Sequence, residues 1–158
     1  AAMGKIDPEA FERHYLQLTY EAGLFMVAYL RRLHAEFEGD ITAAIVLGEI
    51  AQHNVRPFMK ELLPKSGKDS ATLATDEVIA ASIRRCNMLS VAEASGIPRE
   101  TVRRKVAKLV ELGFVSRDAG GGLALTRKVA RHFKEFDRET LGSLVELAER
   151  IRWVLGRR

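Results

Sequence analysis

A mainly α-helical fold carrying one small β-hairpin is predicted by three observations. Apolar residues recur at spacings of three and four over most of the chain. Only two short runs, 114–117 and 123–125, read as strands, and the turn sequence DAGGG separates them. An apolar content of 47% in 158 residues is enough for a real core, as one ordinary domain or a small domain with helical extensions.

From 8 to about 37 the chain reads as one long helix. Phe11, Tyr15, Leu18, Ala22, Phe25 and Tyr29 draw a stripe along it. Leu16, Leu24, Met26, Val27, Leu30 and Leu33 widen that stripe, so the helix asks for burial on more than one side. Gly39 and Asp40 break the period, and Asp40 is placed to cap a second helix from 41 to about 54. Pro57 marks a kink or a boundary. Residues 63–74, LPKSGKDSATLA, have the Pro, Gly and Ser of a loop and close a helical region, 8–62.

Thr75 then caps a helix whose first turn holds Asp76 and Glu77, where the positive end of the backbone dipole favours acids. Val78, Ile79, Ser82 and Ile83 supply its inner side. Ser90 is expected to start a short helix, 91–95, with Glu93 completing a capping box. Gly96 ends it, Ile97 stands at the corner, and Pro98 opens a longer helix that Gly113 stops. After the hairpin, Thr126 caps a last helix whose apolar positions run from Val129 and Phe133 to Leu155; Gly142 costs it about 1 kcal/mol relative to alanine, which leaves room for a bend or break there. Helix, short helix, tight corner, longer helix and hairpin, in that order over 75–126, are the pattern of a winged helix-turn-helix. The fold class is therefore mainly α, with long N- and C-terminal helices, the latter at 127–156, and a small hairpin wing.

Charge is distributed unevenly. Up to Ile83 there are 8 Lys/Arg against 12 Asp/Glu; from Arg84 to Lys134 there are 12 against 4; the remainder has 5 of each. A basic central third is what a polyanion partner requires, although surface cations also cluster without one. Cys86 is the only cysteine, which precludes an intrachain disulfide and reads as a small buried hydrophobe. The longest apolar run, 22–30, is far short of the roughly 20 residues a membrane helix needs, and the polar N-terminus suggests no secretory leader.

The helix over 98–112 carries the most information. At 100° per residue, Val102, Val106, Leu109 and Val110 share one side and should face a core. Glu100, Arg104 and Lys108 point away, Thr101 and Ala107 lie part way round, Arg103 and Lys105 flank the polar face, and Arg99 projects from the first turn. Such a helix fits the major groove, roughly 12 Å wide, with its N-terminal half at base edges. Arg104 suits guanine O6 and N7, and Glu100 suits a cytosine amino group. Thr101, Arg103, Lys105 and Lys108 are expected on phosphates, setting register and not sequence. A charged outer face that serves only solubility is the alternative. At the hairpin tip, Arg117 beside the backbone of Gly121 suits a phosphate or the minor groove, with a plain tight hairpin as the other reading.

Residues 90–115, SVAEASGIPRETVRRKVAKLVELGFV, resemble the helix-turn-helix of bacterial winged-helix regulators. Within them Arg99-Glu100-Thr101-Val102-x-Arg104 is similar to the recognition helix of the catabolite activator family. That resemblance implies base contacts for Arg99, Glu100 and Arg104 and a backbone contact for Thr101. Nothing before Thr75 looks like a cyclic-nucleotide barrel. Helices on both sides of the central domain look like the MarR-type arrangement, which implies a homodimer joined through terminal helices.

The expected function is sequence-specific binding of double-stranded DNA by a homodimeric cytoplasmic transcriptional regulator, with 8–62 and 127–156 as dimerisation regions, although either terminal stripe could equally cover its own subunit's core. A protein–protein interaction module on the same fold is the competing reading. Phe25, Tyr29 and Phe37 offer a place for a small-molecule effector, although aromatics at helical spacing are more often core. HExxH, Walker, G-x-G-x-x-G and G-x-S-x-G motifs are absent. His14, His34, His53 and His132 lack ligand spacing, and Glu49 with His53 is one pair without a third ligand. No catalysis, metal or cofactor is expected.

Overall fold

A computed structural model describes residues 6–156. These divide into two compact units, one comprising the described residues through Gly39 with those from Phe133 onward, the other Asp40–His132.

The first unit is a helix pair. α1 spans Pro8–Glu36, started by Asp7, whose carboxylate accepts from the Ala10 N–H at 2.9 Å. Its partner is the part of α8 (Arg127–Leu155) beyond His132. Gly142 does not break α8, which stays one helix through it. The two helices run antiparallel: Glu21 pairs with Arg150 at 2.8 Å, Arg32 with Glu139 at 3.2 Å, and Phe37 stacks on Phe133 with centroids 5.6 Å apart. Leu18 and Val154 are buried here. Of the residues that widen the α1 stripe, all but half-buried Leu33 are exposed instead, Leu16 being 81% exposed and Val27 56%. One α-helical partner covers only one side of a helix this apolar.

The second unit contains the basic region. α2, Ile41–Pro57, buries Ala43, Val46, Leu47, Ile50 and Asn54, and packs on α6, α7 and the hairpin. Pro57 ends α2 without ending the helical path, because a π-helical turn, Phe58–Leu62, and a short α3, Leu63–Ser66, continue it. The expected loop over 63–74 thus contains two short helices, the other being α4 at Ser70–Leu73, capped by Asp69. Their local caps and turn bonds outweigh the Pro, Gly and Ser composition. α5, Asp76–Ser82, is capped by Thr75 as expected, yet Val78, Ser82 and Ile83 are only half-buried and Ile79 is exposed.

α6 spans Met88–Ser95 and starts earlier than expected. Asn87 is its cap: its Oδ1 accepts from the Ser90 N–H at 2.9 Å and from the Ser90 hydroxyl at 3.2 Å, so Ser90 is a donor inside the first turn and not the cap. Gly96 closes α6 in the left-handed region, at φ +70°, where glycine meets no Cβ penalty. α7, Arg99–Glu111, follows at once, and Gly113 at φ +76° turns the chain out of it.

β1 (Val115–Arg117) pairs antiparallel with β2 (Leu123–Leu125) in the register Val115 to Leu125 and Arg117 to Leu123. Cys86 exchanges two backbone hydrogen bonds with Leu123, at 3.2 and 2.7 Å, and so covers the outer edge of β2. Thr126 precedes α8 but does not cap it with its side chain; its hydroxyl donates to the Gly113 carbonyl at 2.6 Å, tying the chain after the hairpin to the chain before it. The core consists of Val46, Ile50, Val91, Val102, Val106, Leu109, Val115 and Leu123, all nearly inaccessible. Burial of each such side chain is worth about 1.5–3 kcal/mol.

Asn54 is fully buried among them. Its amide Nδ2 donates to the carbonyls of Arg84, at 2.8 Å, and Leu123, at 3.2 Å, while its Oδ1 accepts from the Leu125 N–H at 2.8 Å. One side chain thus fastens α2 to β2 and to the irregular segment leading into Cys86. Among the described residues no helix is long and apolar enough to cross a membrane.

Candidate nucleic-acid interface

The placement of α7 follows from its apolar side. Val102, Val106 and Leu109 are buried, anchoring the helix on α2, α6 and β1. Val110, grouped with them by the helical wheel, is 39% exposed, because the core contacts stop short of its side of the last turn. With that anchor fixed, Glu100, Arg103, Arg104 and Ala107 are exposed.

The nine residues assigned to DNA fall into three groups. Arg99 and Arg104 are exposed, and neither makes an ion pair among the described residues. Arg99 lies with Arg117, Gly120 and Gly121 around one concavity of about 330 Å³, completed by Asn87, Met88 and Leu89 at the start of α6. The hairpin tip and the first turn of α7 therefore share one recess. Gly121, at φ +82°, and Asp118 shape that tip: Asp118 Oδ1 accepts from the Gly122 N–H at 2.7 Å, and Arg85 reaches both Asp118, at 3.6 Å, and the Gly122 carbonyl, at 3.3 Å. Arg85 was not among the sequence-assigned residues; its role depends on a partner 33 positions later in the chain.

In the second group, Glu100 and Arg103 form a two-bonded ion pair one turn apart, at 2.9 and 2.6 Å. The Arg103 hydrogen bonds, helped by the Arg103 and Arg104 charges, hold the Glu100 carboxyl below its usual range against the opposing effect of desolvation, and Glu100 in turn raises Arg103. Both side chains are more than half exposed, so solvent screens the pair and it adds little stability. Thr101, half-buried, sits in the same turn. Pro98 offers no side-chain cap to α7, so the first-turn N–H groups have no side-chain acceptor.

Lys105 and Lys108 form the third group, and both meet a carboxylate of their own chain, Lys105 being the more enclosed of the two. Lys105 Nζ lies 2.9 Å, and Lys108 Nζ 3.5 Å, from Oδ2 of Asp40, whose Oδ1 caps α2 through the Ala43 N–H at 3.0 Å. Partial burial works to raise the Asp40 pKa, but the Lys105 hydrogen bond, the Ala43 N–H and both lysine charges outweigh it, and the carboxyl rests below its ordinary value. Asp40 was legible as a cap; its two lysines lie 65 and 68 positions away and no local pattern announces them.

Phe25, Tyr29 and Phe37, the aromatics considered for an effector, pack within the helix pair: Phe25 stacks on Tyr29, Tyr29 meets Phe136, and Phe37 meets Phe133. The recess beside Phe25 and Tyr29 measures about 130 Å³. Glu49 and His53 line a cleft of about 60 Å³ between α2 and α6, and no cluster of three His, Cys, Asp or Glu suited to a metal occurs among the described residues. Cys86 is buried, and burial pushes its thiol pKa up, as befits a packing residue.

No family model, curated protein or solved structure matches the chain.

Proposed function

We propose that the chain is a winged helix-turn-helix DNA-binding protein that reads duplex sequence with α7 and acts as a homodimeric, MarR-like transcriptional regulator in the cytoplasm. The observation that carries the reading is the shared recess: Arg99 at the start of α7 and Arg117 with Gly121 at the hairpin tip line one concavity, while Arg104 projects unpaired from the same helix. A helix anchored by Val102, Val106 and Leu109 can enter the major groove with Arg99, Glu100 and Arg104 at base edges. The hairpin then acts as the wing. Thr101, Arg103, Arg117 and the Gly121 backbone meet phosphates, and the uncapped N–H groups opening α7 suit the same partner. The Glu100–Arg103 pair opens on docking, because both groups then find stronger partners. The proposed activity is binding and not catalysis.

Self-association is supported by the apolar surface that one chain leaves bare, notably Leu16, Tyr20 and Val27 on α1 and Leu141 and Val145 on α8. Two copies reading half-sites about one helical turn apart gain a specificity that one module lacks. The test is selection of bound fragments from random duplex DNA at about 150 mM salt. A recovered palindrome with half-site centres about 34–36 Å apart is the expected result. Recovery of no preferred sequence at any salt, from folded protein, sinks the reading in favour of an interaction module.

A further inference from the structure

The flank of α7 that turns toward α2 already holds an anion, and that anion belongs to the chain. Asp40 Oδ2 sits between Lys105 Nζ, at 2.9 Å, and Lys108 Nζ, at 3.5 Å, while Oδ1 takes an N–H from the first turn of α2. Two ammonium groups and a helix N-terminus around one oxyanion are the donor set that a backbone phosphate seeks. The other cations of α7 are placed differently. Arg99 and Arg104 form no close ion pair among the described residues, Arg104 acting on Glu100 only through the field of its charge, and Arg103 is paired only with exposed Glu100 on its own helix.

We infer that Asp40 is an internal competitor for duplex phosphate, which sets how many cations of α7 a duplex can recruit. The inference rests on α7 being the DNA-facing helix. Phosphates that draw both Lys105 and Lys108 away must leave behind a carboxylate only 15% exposed and stripped of its counter-charge, and that penalty opposes the exchange. Lysines on phosphates strengthen binding to every sequence alike. By occupying them, Asp40 restrains the sequence-blind part of binding while leaving Arg99 and Arg104 free for base edges, so Asp40 is a specificity determinant that need not touch DNA.

The test is an anisotropy titration of the full chain on a random-sequence duplex between 50 and 200 mM salt. Wild type is compared with Asp40→Asn, with Lys105→Gln/Lys108→Gln, and with the triple variant; asparagine caps a helix as well as aspartate, so α2 keeps its start. Release of both lysines steepens the log affinity against log salt slope by up to about 1.8, at about 0.9 per phosphate neutralised. Across that fourfold salt range the advantage of Asp40→Asn over wild type therefore shrinks about tenfold, and the triple variant loses the added slope. A wild-type slope in folded Asp40→Asn overturns the inference. So does a Lys105→Gln/Lys108→Gln variant that by itself loses the full 1.8 from wild type, since the lysines would then already lie on phosphate. A wild-type chain that binds no duplex at 50 mM salt fails at an earlier point, removing the DNA reading and this inference with it.

Discussion

Replacing Asn54 probes the junction that holds the hairpin beside α7. Asn54→Ala deletes two donated bonds and one accepted bond in a site with no solvent access. The three backbone groups fare differently. Leu123 O keeps the Cys86 N–H, at 3.2 Å, and Arg84 belongs to an exposed segment where water can substitute. The Leu125 N–H has no such replacement, and an unsatisfied buried donor costs about 1–3 kcal/mol. Adding the loss of packing around a fully buried side chain, the expected destabilisation is about 2–4 kcal/mol. Asn54→Asp is the sharper variant, since it keeps the shape and exchanges a donor for an acceptor. An ionised carboxylate would face the Arg84 and Leu123 carbonyls, so its pKa is raised in the folded state. A group of that kind lets stability fall as pH rises above the unfolded value of about 3.9, opposite in sign to an ordinary paired aspartate. Urea unfolding at pH 4 to 7 measures both effects through the midpoint at constant m. A loss below about 0.5 kcal/mol for Asn54→Ala, or an Asn54→Asp variant whose stability does not decline with pH, would refute the proposed junction.

Four further outcomes are expected. Asp40→Ala removes a helix cap and the lysine pairs together and costs more than Asp40→Asn, which keeps the cap; guanidinium unfolding should place the difference near 1 kcal/mol. Because the Asp40 pKa is lowered in the folded state, its charge contributes stability in full above the unfolded value of about 3.9. The gap between wild type and Asp40→Asn therefore closes as pH falls through the lower folded value, as thermal melts from pH 6 to 2.5 would record. Gly122→Ala places a Cβ 2.5 Å from Asp118 Oδ2, forcing that carboxylate off the Gly122 N–H and away from Arg85; a drop of about 1 kcal/mol in thermal stability is expected. Leu16→Glu should lower the oligomeric state seen by sedimentation without lowering helix content, given how far Leu16 stands out from the helix pair.

What could be read from the sequence was whatever is written within about four residues. Gly96 and Gly113, the alternation of Val102, Val106 and Leu109, and the turn DAGGG are local signals, and each element they mark is present. The Ser90 cap failed because Asn87, three residues earlier, satisfies the same first turn and draws Ser90 in as a donor. Gly142 failed as a break because one glycine costs only about 1 kcal/mol against the packing of the apolar side of α8. Of the surface assigned to DNA, the outward direction of Glu100 and Arg104 follows from helical period alone. The capture of Lys105 and Lys108 by Asp40, and the inward turn of Asn54, depend on pairs 30 to 71 residues apart, which helical period cannot encode.

The central claim is most directly tested by titrating Arg104→Ala against the preferred duplex and a scrambled one at the same salt. If Arg104 reads a base, the variant loses about 1–3 kcal/mol on the preferred sequence and far less on the scrambled one. Equal losses on both duplexes, or none on either, would contradict the assignment of α7 as the helix that reads sequence.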